Sequence, residues 1–181
     1  MDTIIGKKES NEKCVLILLH RHSNLQLYFL LRNKNMFEVT YLFDTIKTFL
    51  GIELFREMFT MILTDNGTEF HDPLSLETDP ETGEKLISIY FARPRRSDDK
   101  GKCEKNHEHF REKIPKGFSM NRLTKHDINF VSNQVNNYVR RKLNYQSPYI
   151  IAKLVLNEKV LELTRLHSIP PKAVNLTPIL H

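Results

Sequence analysis

Met61-Ile62-Leu63-Thr64-Asp65-Asn66-Gly67-Thr68-Glu69-Phe70 joins an apolar run of strand length to an acid and an Asn-Gly pair. The run stops abruptly, so the Asp65 carboxylate is expected where a buried strand meets solvent. Such an edge suits a metal-binding acid. Read alone, Asp65-Asn66-Gly67 is better explained as a plain turn, because Asn and Gly adopt positive φ at low cost.

Around that stretch lie 181 residues, 40% of them hydrophobic, enough for one core, whereas a second full domain would leave both small. The expected organisation is one domain over 1–156 and a helix end with a tail over 157–181. Lys and Arg number 27 against 22 Asp and Glu, and the net charge of +5 suits a polyanionic partner. Cys14 and Cys103 have no paired spacing, so neither a disulfide framework nor a zinc site is expected, and a reducing cytoplasm fits. No apolar run approaches the roughly 20 residues of a membrane helix, and the first residues lack a signal peptide's basic-then-apolar order. No membrane partner is expected.

Asp2 to Ile5 reads as a strand, and Cys14 to His20 with Leu25 to Leu31 as a hairpin across Arg21-His22-Ser23-Asn24, a three-strand meander in all. From Met36 the period changes. Val39, Leu42, Phe43, Ile46, Phe49 and Leu50 recur at helical spacing up to Gly51, a C-terminal cap, and one helix is expected to cross over to the Thr60 to Thr64 strand. Asp72, Glu77, Asp79, Glu81 and Glu84, with two prolines, mark 71–85 as a solvated loop before a strand at Leu86 to Ala92. A helix from about Ser97 to Ile114 buries Cys103, Phe110 and Ile114 and carries Glu104, His107, Glu108 and Arg111 on another face.

Thr124-Lys125-His126-Asp127 is a capping-box pattern ahead of the stripe Ile128, Val131, Val135, Tyr138 and Val139, with Arg140-Arg141-Lys142 closing that helix. Ser147-Pro148 opens a last helix through about Leu163, and Pro170-Pro171 stops it before a tail.

Three acids then stand apart: Asp2 in the first strand, Asp65 at the end of the fourth, and Glu104 on the helix after the fifth. Two Mg²⁺ ions held about 3.5–4 Å apart by carboxylates activate a nucleophilic oxygen and stabilise the leaving oxygen of a phosphodiester. Oxygen ligands suit Mg²⁺ or Mn²⁺, whereas thiols and imidazoles suit zinc. Among 22 acids, spacing alone singles out no triplet.

Ordered motifs do. Asp2-Thr3-Ile4-Ile5-Gly6-Lys7-Lys8, Ile62 to Phe70, Lys100-Gly101-Lys102-Cys103-Glu104-Lys105-Asn106-His107 and Ile114-Pro115-Lys116-Gly117 come in succession. Asn136-Asn137-Tyr138, Arg141 to Tyr145, Ser147-Pro148, Ile169-Pro170-Pro171 and Val174 to Pro178 follow them. Together they resemble the insertion-sequence-thirty (IS-thirty) family of bacterial transposases across essentially the whole chain.

The resemblance implies a retroviral-integrase catalytic core, an α/β, ribonuclease-H-like fold with a mixed five-stranded sheet flanked by helices. It implies that Asp2, Asp65 and Glu104 are an Asp-Asp-Glu (DDE) triad holding two Mg²⁺ (or Mn²⁺) ions, with Asp2 bridging both. DNA is the implied partner, cut at the element's ends by water and joined to target DNA by the freed 3′-hydroxyl; the setting is the bacterial cytoplasm at the nucleoid, and a homo-oligomer is allowed. Candidate phosphate-contacting cations are Arg93, Arg95, Arg96, Lys100, Lys102, Lys105, Arg111, Arg140 and Arg141, the alternative being solvated helix cations. Asn66 and Glu69 either orient water at the metal or complete the turn, and His107 either assists Glu104 or is structural.

Family members begin with a helix-turn-helix that reads the terminal repeats, and the resemblance here starts at the first strand's acid. A truncated copy, a split frame or a degraded remnant is therefore expected. Two functions stay open: a transposase catalytic core, or a non-catalytic remnant that keeps the fold and binds nucleic acid or a partner non-specifically.

Overall fold

A computed structural model describes residues 1–7, 12–92 and 107–179. Strands β1 (Asp2–Ile5), β2 (Cys14–His20) and β3 (Leu25–Leu31) form an antiparallel sheet in that order, with Asp2 opposite Ile17 and Leu18 opposite Leu27. β2 is central, and its alternation sends Leu16 and Leu18 into one core and Val15 and Ile17 into another.

Helix α1 (Met36–Leu50) starts where the Asn35 side chain accepts the Glu38 N–H at 2.9 Å and ends at Gly51, whose φ of 81° favours glycine. A second helix, α2 (Ile52–Met58), follows at once, so the crossover expected as one helix is two. Its Phe55 and the following Phe59 meet Phe43 of α1 at ring distances of 6.3 and 5.8 Å, edge contacts each worth about 0.5–1.5 kcal/mol beyond area burial.

Strand β4 (Met61–Thr64) then pairs in parallel with β5 (Ser88–Phe91), Ile62 opposite Ile89. Between them the segment read as solvated loop holds α3 (Pro73–Glu77), capped by Asp72 and anchored by buried Leu76.

The five strands of the described residues form a three-stranded and a two-stranded ladder, where a single five-stranded sheet was expected. The ladders meet where the Met1 amino group donates to the Leu63 carbonyl, a single bond at the start of β1, too little for a continuous ladder. They nevertheless share a core: Met1, Leu16, Leu18 and Leu27 cluster with Ile62, Ile89 and the apolar faces of α1 and α2. The opposite face of the first sheet packs Ile4, Val15, Ile17 and Tyr28 against Phe110, Ile114, Ile128, Val131 and Val135. The result is a mixed α/β fold.

Residues 107–113 are helical and are labelled α4, and α5 (Lys125–Asn137) opens with the Thr124–Asp127 capping box. α5 stops at Asn137, five residues short of the expected Lys142, and Tyr138 and Val139 are each 41% exposed. The cause is polar. Asn133, Asn136 and Asn137 are buried, and their side-chain amides bond both carbonyls four residues back and the backbone of other segments.

The expected last helix is two, α6 (Pro148–Val155) and α7 (Glu158–Glu162), divided at Asn157, which caps the second. The segment read as a tail is tied back to the core, with the Ile179 N–H on the Lys113 carbonyl and the Asn175 N–H on Gln134.

Outer strand edges are closed by side chains. Asn136 accepts from the Gln26 N–H of β3 at 2.9 Å and donates to the Gln26 carbonyl at 2.7 Å, and Glu77 accepts from the Ile89 N–H of β5 at 2.6 Å.

Candidate active site

The Met1–Leu63 contact sets the ends of β1 and β4 side by side, which places Asp2 and Asp65 on neighbouring strand ends. Each carboxylate is oriented by a nearby backbone donor: Asp2 Oδ1 accepts from the Thr3 N–H at 2.9 Å, and Asp65 Oδ1 from the Gly67 N–H at 3.2 Å. The second bond closes an Asx turn at Asp65-Asn66-Gly67, without the positive φ that Asn and Gly adopt at low cost.

His107 faces Asp2, its Nε2 3.6 Å from Asp2 Oδ2, within ion-pairing distance but long for a direct hydrogen bond. α4 is held there by the Arg111 guanidinium, which donates to the Ile5 carbonyl at 2.8 Å, and by buried Phe110, whose ring meets Tyr28 at 5.2 Å.

Gly67 has φ −68°, so no positive φ requires glycine at this position. Space requires it. A Cβ there would lie 2.6 Å from Glu69 Oε2 and 3.1 Å from Asp65 Oδ1, so the two acids crowd one point.

Glu69 belongs to a one-turn 3-10 helix, Thr68–Phe70, pinned by fully buried Phe70, and is itself only 2% exposed. Lys34, from the loop between β3 and α1, brings its Nζ to 3.4 Å from Glu69 Oε1. Oε2 has no hydrogen-bond partner. Nearby, burial pushes the Cys14 thiol up to about 12, with the Glu69 charge adding to the rise and Lys34 opposing it.

Of the cations expected to touch phosphate, Arg93, Arg95, Arg96, Lys100, Lys102 and Lys105 lie outside the described residues, as does the third acid, Glu104. Arg111 is spent in part on Ile5. Arg140 folds back, its Nη2 3.4 Å from the Val135 carbonyl near the end of α5, and burial lowers its pKa. Only Arg141 of that set is fully on the surface among the described residues.

Among the described residues no group of three or more His, Cys, Asp or Glu side chains is arranged to hold a metal ion. Near the β1 and β4 ends the carboxylates supply oxygen donors, the orphaned Glu69 Oε2 among them, with the His107 imidazole beside Asp2. That chemistry fits a hard cation such as Mg²⁺ or Mn²⁺ and not a thiolate metal. Lys34 escaped the sequence reading, because a lysine in a loop gives no sign that it reaches across to an acid behind a different strand. Among the described residues no helix is long and apolar enough to cross a membrane.

No family model matches the chain. It is 27% identical over 162 residues to the transposase for insertion sequence element IS4351 of Bacteroides fragilis. That match covers 87% of this chain and 45% of the relative, so the chain is similar to a transposase over most of its own length while spanning less than half of that protein.

Proposed function

We propose that the chain is the catalytic core of a DDE transposase, with a ribonuclease-H-like arrangement, acting on DNA in a divalent-cation-dependent cleavage and strand transfer. The observation that carries this is the meeting of β1 and β4, which sets Asp2 and Asp65 on adjacent strand ends although they are far apart in sequence. At that contact the two ladders, β1-β2-β3 and β4-β5, meet, with helices on both faces of the first sheet, and the likeness to the IS4351 transposase adds support.

Asp2 and Asp65, completed by Glu104, would hold Mg²⁺ or Mn²⁺. When bound, such ions lower the pKa of a nucleophilic oxygen and stabilise charge on the leaving one. The chain's own part is orientation: the Thr3 and Gly67 N–H groups fix one oxygen of each acid, and His107 attends the other oxygen of Asp2. In the reaction, a water oxygen bonds to phosphorus as the bond to the 3′-oxygen breaks. The freed 3′-hydroxyl then repeats the displacement on target DNA.

The test is nicking of supercoiled DNA with Mg²⁺ or Mn²⁺. Asp65→Ala and Asp2→Ala should abolish it while the metal-free melting temperature stays level or rises, because removing one of several clustered carboxylates relieves repulsion. Nicking by the variants equal to the parent would reject the assignment. DNA binding without nicking by the parent would favour a non-catalytic binding module.

A further inference from the structure

Glu69 is buried to 2% exposure, yet one of its two oxygens has no partner, and that oxygen and Asp65 Oδ1 both lie close to where a Gly67 Cβ would stand. A buried carboxylate oxygen left unsatisfied is costly, and folded proteins retain few of them. Lys34 engages the other oxygen, so the ion pair accounts for half of the carboxylate. The turn accounts for neither half: its bond runs from Gly67 to Asp65, and the 3-10 helix is closed by backbone bonds from Phe70 to Gly67 and from His71 to Thr68.

We propose that Glu69 is a positioning acid for the cation held at Asp65, its Oε2 accepting a hydrogen bond from the cation's hydration shell while Lys34 fixes Oε1. This rests on the metal-dependent reading above. Mg²⁺ keeps several of its waters and takes only one or two carboxylates directly, so an acceptor set just behind a ligand is what the ion requires. Acceptors of this kind typically contribute 10- to 100-fold to metal affinity or activity. Lys34 also offsets the negative charge of Glu69, and Gly67 leaves the space in which both acids approach.

Binding of Mn²⁺ to the whole chain, read by calorimetry and by the metal-induced rise in melting temperature, tests the proposal without activity. Glu69→Gln keeps the side chain's shape and should weaken Mn²⁺ about 10- to 100-fold. Gly67→Ala keeps both charges but forces Oε2 away and should weaken it comparably; this second variant decides the matter if the first does not fold.

Parent affinity in Glu69→Gln or in Gly67→Ala, with Asp65→Asn losing the ion, overturns the role of Glu69 alone. A parent protein that binds no Mn²⁺ overturns both this role and the metal-dependent reading.

Discussion

The polar side chains buried on α5 and the one buried beside Asp65 handle the same physical problem in opposite ways. Ser132, Asn133, Gln134, Asn136 and Asn137 are all buried, and each has partners: Asn136 clamps Gln26, Asn133 and Asn137 bind the backbone at 165–169, and Gln134 takes the Asn175 N–H. Glu69 is as deeply buried but keeps an oxygen unmatched. An unsatisfied buried group costs about 1–3 kcal/mol and more when charged, so the satisfied set holds chain segments in place, while the open one is a local cost that our proposal assigns to cation binding.

The strongest way to break this contrast is Asn136→Ala. It strips partners from a buried N–H and a buried carbonyl of β3 at once, and about 2–4 kcal/mol of stability should be lost. Urea unfolding should show a lower midpoint at an unchanged slope. A loss under about 0.5 kcal/mol would mean the α5 network is ornamental and the contrast empty.

Thr124→Ala removes only an exposed cap from the same helix, leaving its buried face alone, and should cost about 1 kcal/mol in the same measurement. A cost matching that of Asn136→Ala would show that α5 is limited by its start and not by its buried amides.

The smallest effect concerns a third solution to burial, giving up the charge. Burial first, then the Arg140 cation, lower the His109 pKa below its ordinary 6.5. The unfolded chain therefore binds more protons than the folded one below about pH 6.5, and stability should rise with pH across that window and fall on acidification. His109→Gln should flatten the slope of urea midpoint against pH between about 5 and 7.5, leaving the share due to His20, which burial also lowers. An unchanged slope would remove His109 from the account.

Where alternation or capping chemistry is local, the sequence announces the fold. Leu16 and Leu18 against Val15 and Ile17 define a two-faced strand, and Asn35, Gly51, Thr124 and Ser147 end or begin helices as their side chains or φ require. α2 is hidden because Gly51, a sound stop for one helix, is also the start of the next without a side-chain cap. α3 is hidden because Pro73 and its acidic surroundings look like loop and Leu76 alone reveals burial.

In the site, the strand end at Asp65 is visible in the sequence, whereas the pairing of Lys34 with Glu69 depends on tertiary approach. Arg140 misleads for a related reason. A cation beyond a helix end looks solvated, but this one turns inward to the Val135 carbonyl.

The two strand-edge guards differ in when they come into being. Glu77 precedes Ile89 by 12 positions, so β5 leaves the ribosome with its guard already made. Gln26 and Asn136 are 110 positions apart, and at ordinary translation rates the edge of β3 waits on the order of ten seconds for the side chain that will cover it. For that interval the nascent β2–β3 hairpin, rich in leucine, offers an open ladder to any neighbouring chain. Faster synthesis shortens the exposure of β3 and changes nothing for β5, whose guard is synthesised before the strand it protects.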